Sequence, residues 1–328
     1  MKTMIINISS AWDTIRTEHN SFLKTKIQKF LDTPSTKSTH TQAKKFVRWI
    51  EPYILSKKPE CLLHTINKFE KKRRRMSKLE FNNFKIQLET IFNYENFIKK
   101  KVHMWDAYKL CEKFSFEVCP YCHQAYIFTI VEEKGIRPTL DHYYLKDEYP
   151  FLALALNNFI PSCATCNSSL KGMTNFFTTP HLNPLVDKES IHFYCKKDGY
   201  TILDIISNFE NLKHELNIEL THPITCEKSK SSMEVFMLQA RYKKINRLGV
   251  NFVGAKTSID NSAGLLNFYA AGPQLPGDAL DFDKPAEEII KRQFPFDRSN
   301  YKNEIHGKMF ADLYDQFDRS VIFTTHVP

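Results

Sequence analysis

Two short cysteine pairs, Cys119-Pro-Tyr-Cys122 and Cys163-Ala-Thr-Cys166, frame the part of this chain best equipped for chemistry. Forty residues separate the pairs; Leu140-Asp141-His142 lies between them, and Asn167 and Lys171 follow the last cysteine. Such pairs can supply four thiolates to one tetrahedral zinc, a closed site that holds the fold and leaves no position for a reactant. Metal-assisted catalysis therefore needs a second ion. Asp141 offers a hard anionic oxygen and Asn167 a neutral one, ligands that Mg²⁺ accepts while keeping several waters. His142 can take a proton from an attacking water near neutral pH. The reaction this set suits is phosphodiester hydrolysis, where in-line attack needs an activated water and a cation at the leaving oxygen. Asn158 is expected to orient His142 by hydrogen bonding. Lys171, one turn beyond Asn167, and the helix N-terminus are expected to meet phosphate oxygens.

Each feature also has an ordinary reading. Cys-Pro-Tyr-Cys is the glutaredoxin redox motif, but there it opens a helix that lowers the first thiol's pKa. Here a β-rich run follows within three residues, and a second pair exists. Adjacent Asp and His occur often by chance as capping or surface pairs. His181 reads as an ordinary loop histidine. Cys61, Cys111, Cys195 and Cys226 are scattered and read as buried free thiols.

The elements that must position these residues are mostly helical. Residues 8–32 have a loosely helical pattern, and Pro34 to Thr39 is a polar break. Phe46, Trp49, Ile50, Tyr53 and Ile54 mark an amphipathic helix, and Pro59 starts another through Phe69. Ser77 and Glu80 form a capping box that opens a helix through Ile91. Ala125–Val131 reads as a strand, Arg137–His142 as a second, and Asn158–Cys163 as a third. Cys166 opens a helix. Further on, residues 191–202 resemble a hairpin, 216–220 a strand and 233–248 a helix. Residues 254–283 read as loop, with two final helices over 287–294 and 303–317.

Composition narrows the function. Residues 1–110 carry 23 Lys/Arg against 10 Asp/Glu, whereas the other 218 carry 23 against 27. A basic first third suggests a footprint for phosphates, although a solvated helical face fits the charge equally well. Within it Lys71-Lys72-Arg73-Arg74-Arg75 is a candidate phosphate-gripping edge. No Gly-x-Gly-x-x-Gly or Walker-type motif is present, so the chain is expected to bind no ATP of its own. No run of about 18 apolar residues suggests a membrane span, and a cytoplasmic location is expected.

The series Cys119-x-x-Cys122, Asp141-His142, Asn158, Cys163-x-x-Cys166-Asn167 and Lys171 resembles the zinc-containing HNH endonucleases of the ββα-metal fold. The resemblance covers residues 117–187. It implies His142 as general base, a single catalytic Mg²⁺ (or Mn²⁺ or Ni²⁺) on Asp141 and Asn167, and Asn158 in the middle position. The final motif residue is Asn167 rather than His, a variant that leaves metal preference open. Leu140 to Lys146, Tyr149-Pro-Phe-Leu and Asn158 to Cys163 are similar to HNH proteins of bacterial anti-phage operons, with the Septu-type partners of an ABC-like ATPase the nearest class. That likeness implies a nucleic-acid substrate (DNA first, RNA or tRNA second), contacts from Lys146, and an ATPase partner.

The resulting expectation is an α+β chain, mostly helical, around a ββα-metal core with a structural four-cysteine zinc. Its regions are a basic helical part over 1–110, the core over 111–187, and a mainly helical part over 188–328. The competing expectation is a catalytically silent zinc module that grips nucleic acid or serves an ATPase.

Overall fold

The computed structural model describes residues 6–35, 37–101, 103–270 and 296–318. It is a mixed α+β structure with two separate two-stranded antiparallel sheets among many helices. Packing divides it into two compact units. One holds the chain up to Ser190 together with Ile224–Phe236; the other holds Ile191–Pro223 and the chain from Met237 onward.

The first unit begins with helices α1 (Arg16–Asp32), α2 (Ser38–Ile54), α3 (Cys61–Arg73) and α4 (Lys78–Ile91). The capping box forms at Ser77: its hydroxyl accepts from Glu80 N while Glu80 answers the Ser77 N–H, satisfying two donors the helix start leaves orphaned. Apolar residues of α2, α3 and α4 converge as Phe46, Phe69 and Phe84, all buried. Phe151 joins them at ring-centroid distances of 5.3 Å from Phe46 and 5.0 Å from Phe69. Short helices α5 (Tyr94–Phe97) and α6 (Ala107–Glu112) follow.

Phe151 matters because it is not helical-arm sequence. It sits in a 3-10 turn, Pro150–Leu152, between strands β1 (Thr139–His142) and β2 (Phe159–Ser162). The helical arm is thus packed onto the segment joining the two strands. Truncating such an aromatic would cost about 3–5 kcal/mol. β1 and β2 pair antiparallel, with Asp141 opposite Ile160 and His142 opposite Phe159. A π-helical segment, Thr165–Lys171, follows β2 and packs on β1. Its wide turn is closed by Gly172 N donating to Asn167 O at 2.9 Å.

In the second unit β3 (His192–Lys196) pairs with β4 (Asn217–Thr221). Between them lie α7 (Ile202–Ser207) and α8 (Phe209–Leu212); beyond them run α9 (Glu227–Val235, part of the first unit), α10 (Leu238–Lys244), α11 (Asn246–Ala270) and α12 (Gly307–Gln316). Helix α12 covers the open edge of β3 with side chains: Asp312 accepts from Phe193 N at 2.9 Å, and Gln316 bonds both backbone groups of Cys195. An edge capped this way is no template for pairing.

Several local expectations fail for stated reasons. Ala125–Val131 is extended but forms only isolated bridges, Val118 with Tyr126 and Ile130 with Ile136. The hairpin expected over 191–202 does not close, because Thr201 caps helix α7 and β3 finds its partner beyond it in β4. The helix expected over 233–248 is broken at Met237, which takes a left-handed φ of 50°. Helix α11 runs through 254–270, where loop was expected; its Gly254 is the close-approach residue, since a Cβ there would lie 2.6 Å from the Phe209 ring. The helix expected over 287–294 lies outside the described residues.

Candidate metal centre and catalytic site

The four cysteines meet. Cys119, Cys122, Cys163 and Cys166 place their sulfurs within 4.8 Å of one another. Cys122 Sγ and Cys163 Sγ lie 3.9 Å apart, far beyond a disulfide bond and close to the edge of a tetrahedron built on Zn–S bonds of about 2.3 Å. The loops suit thiolates: Gln124 N donates to Cys122 Sγ and Cys166 N to Cys163 Sγ, both at 3.4 Å. His123 takes a left-handed φ of 54°, which turns the chain back after Cys122. Burial pushes the Cys119 thiol up, while donation from the other three thiols holds Cys163 far below the usual range. Four converging sulfurs with backbone donors aimed at two of them could hold a metal ion such as zinc.

Asp141 and His142 lie side by side on β1 and have different partners. Asp141 is 2% exposed and both carboxylate oxygens are engaged. Tyr121 OH donates to Oδ2 at 2.6 Å and Lys171 Nζ donates to Oδ1 at 2.6 Å. The same ammonium donates to the His142 carbonyl oxygen at 2.6 Å and lies over the Phe176 ring. Lys171 was expected at a phosphate; it is buried on Asp141 instead. Tyr121, the third residue of the first cysteine pair, stacks on Phe236 at 4.4 Å. It therefore ties the cysteine loop to Asp141.

His142 is fixed by its surroundings. Its Nε2 donates to Ala153 O at 3.0 Å, and its ring meets Tyr94 edge-on at 4.5 Å and Phe159 at 5.2 Å. Donation from Nε2 leaves Nδ1 as the lone-pair nitrogen, with no hydrogen bond to the described residues. Burial lowers the imidazole to about 4, outweighing the Ala153 bond and Asp141, which raise it. The fixed tautomer makes Nδ1 the nitrogen that can accept a proton. A cleft of about 300 Å³ opens beside it, lined by Tyr94, Lys146, Asp147, Pro150 and Ala153 among others.

Asn158 is sealed and does not bond the imidazole. Its Oδ1 accepts from Tyr144 N, and its Nδ2 donates to Tyr144 O and Leu152 O. It pins the loop after β1 to the turn that carries Ala153, so it orients His142 through that turn. Asn167, the third residue of the π-helical segment, is half-buried, with its side-chain amide free of hydrogen bonds among the described residues. Lys146 pairs with Asp147 at 3.0 Å and Glu95 at 3.6 Å. In the basic run, Lys71, Arg74 and Arg75 are exposed, and Lys72 is half-buried with its pKa lowered by burial, Lys68 and Lys45. Arg73 pairs with Glu148, which brings this run to the loop between β1 and β2. His181 stacks on Phe176 at 3.9 Å, and its Nδ1 lies 2.6 Å from Thr179 O.

Sequence reasoning missed Tyr94, Ala153 and His19. Buried His19 sits within 2.9 Å of Leu154 O through Nε2 and accepts from Trp105 through Nδ1. No spacing rule points to a carbonyl or to an imidazole so distant along the chain. Tyr121 did carry a signal, as an aromatic inside a metal-binding pair.

Comparison with known proteins gives one relevant likeness. The chain is 32% identical over 96 residues to the Septu protein PtuB of Bacillus thuringiensis, across 27% of this chain and 35% of that protein. The match thus spans about a third of the relative's length. No family model matches, and no solved structure matches. Among the described residues no helix is long and apolar enough to cross a membrane.

Proposed function

We propose that this chain is a metal-dependent endonuclease of the HNH type, acting on nucleic acid in anti-phage defence. The observation that carries the reading is the state of His142: buried, neutral, its Nε2 committed to Ala153 O, and Nδ1 left as the acceptor. The antiparallel β1–β2 pair followed by the π-helical segment supports it, as does the partial likeness to a Septu protein.

In this reading Nδ1 of His142 takes the proton of the attacking water. The cysteine quartet holds zinc and fixes the loop that carries Tyr121. Asp141 and Asn167 would hold a divalent ion, which when bound supplies Lewis-acid stabilisation at the leaving oxygen. The donors fit such an ion in kind: a carboxylate oriented by a tyrosine hydroxyl, already serving a cation, and a free amide. The exposed cations of residues 71–75 and Lys146 would hold phosphates. In this reading DNA is the first substrate and RNA, including tRNA, the second, and the partial likeness to a Septu protein supports a partner in a defence complex, read here as an ATPase.

The test compares wild type with His142→Ala on plasmid, single-stranded DNA and tRNA, each with Mg²⁺, Mn²⁺ or EDTA. Metal-dependent cleavage should fall at least ~10²-fold in the variant while zinc content is retained. Wild-type protein that cleaves none of them, alone or with its co-encoded partner, would leave a zinc-bearing binding module as the reading.

A further inference from the structure

The Asp141 carboxylate already has a cation. Lys171 Nζ sits 2.6 Å from Oδ1 and 2.6 Å from the His142 carbonyl, and the Lys171 and Asp141 side chains are 1% and 2% exposed. The second oxygen is held by Tyr121, which opposes rotation of the carboxylate. An ammonium on a buried carboxylate oxygen opposes a divalent ion at the same oxygen, because like charges in a low-dielectric space repel. From this we infer that Lys171 is the resident counter-cation of Asp141 and that a divalent ion binds there only by displacing it. Metal loading thereby releases the ammonium toward the substrate's phosphate oxygens.

The surroundings suit such an exchange. Lys171 is the last residue of the π-helical segment and precedes Gly172, which has a φ of +48°. Asn167, the neutral metal donor, lies one turn earlier on the same segment. Phe176 beneath the ammonium at 4.8 Å gives it a cation–π contact but no counter-charge. Asp141 is the carboxylate that pairs with this buried ammonium. The inference rests on the nuclease reading for the identity of the incoming ion.

Two measurements test it, neither of them an activity. In the first, full-length zinc-loaded wild type is treated with a lysine-acetylating reagent, with and without saturating Mn²⁺, and modification is mapped by mass spectrometry. Lys171 should be protected without Mn²⁺ and become reactive with it; equal protection in both would overturn the displacement. In the second, Mn²⁺ binding is read by electron paramagnetic resonance on wild type, Lys171→Met and Asp141→Asn. Lys171→Met should bind at least ten-fold more tightly than wild type, and Asp141→Asn should lose binding. Equal or weaker binding by Lys171→Met, with Asp141→Asn still deficient, overturns the inference and leaves Asp141 as a ligand. Binding unchanged in Asp141→Asn, or absent from all three proteins, overturns the placement of the metal itself. Should Lys171→Met fail to fold, the acetylation result on wild type decides.

Discussion

The Nε2 proton of His142 goes to the carbonyl oxygen of Ala153, and Nε2 of His19 lies 2.9 Å from the carbonyl of the next residue, Leu154. One turn between β1 and β2 thus holds two buried imidazoles that come from distant parts of the first unit's sequence. Its placement decides which nitrogen of His142 can act as a base.

Asn158 is the residue that fixes this turn. Replacing it with Ala removes three hydrogen bonds inside a fully buried region and leaves Tyr144 N and Tyr144 O without their side-chain partner, while Leu152 O keeps its bond from Ala155 N. The expected loss is about 3–4 kcal/mol, read as a lower urea midpoint with unchanged slope. Zinc content should stay at the wild-type level.

The quartet predicts one zinc per chain. Elemental analysis of Cys119→Ser should show that stoichiometry falling toward zero, because a closed tetrahedral site tolerates no missing ligand. Chelation of the wild type should lower its thermal midpoint, since metal binding energy is folding energy at such sites. Unchanged melting after complete zinc removal would refute a structural role.

His19 makes stability depend on pH. Burial lowers it to about 4 in the folded protein from an ordinary value of 6.5. Between those values the unfolded chain binds the proton and the folded chain does not, so stability falls as pH falls through that window. The loss from this group reaches about 3 kcal/mol at pH 4 and fades above about pH 7. Denaturation midpoints across pH 4–7.5 should show a shallower dependence in His19→Gln than in wild type.

If the exposed cations after α3 grip phosphates, the effect has a salt signature. Replacing Lys71, Arg74 and Arg75 with Ala should weaken binding to all sequences alike. It should also reduce the slope of log affinity against log salt by about 0.7–0.9 for each phosphate no longer neutralised. An unchanged slope in fluorescence-anisotropy titrations would assign these charges to solvent.

Much of the α+β architecture was legible in the sequence. The i, i+3, i+4 spacing of α2 and the Ser77–Glu80 box are local signals, and the structure uses them as read. So is the cysteine spacing, which brings four sulfurs together across 40 residues. What was not legible is partner choice. The β-rich run at Ala125–Val131 has strand composition, yet a strand needs a neighbour, and this run has one only at two points. Lys197, Asp198 and Gly199 looked like a local hairpin turn, but β3 pairs with a strand twenty residues further on. Lys171 read as a contact for phosphate oxygens, and lysines are almost never fully buried; the charge of Asp141 beside it accounts for its burial.

The return of Ile224–Phe236 to the first unit has a consequence for synthesis. Domains generally fold as they emerge from the ribosome, N-terminal ones first, at roughly 5–20 residues per second. Here the unit holding the cysteines and His142 is not complete when Ser190 emerges. It must wait for Ser232, whose hydroxyl accepts from Leu182 N, and for Phe236, on which Tyr121 stacks. A nascent chain stalled near residue 190, or a fragment ended there, would display Tyr121 without its cover. The unit that carries the cysteine cluster therefore matures only after part of the other unit has been made.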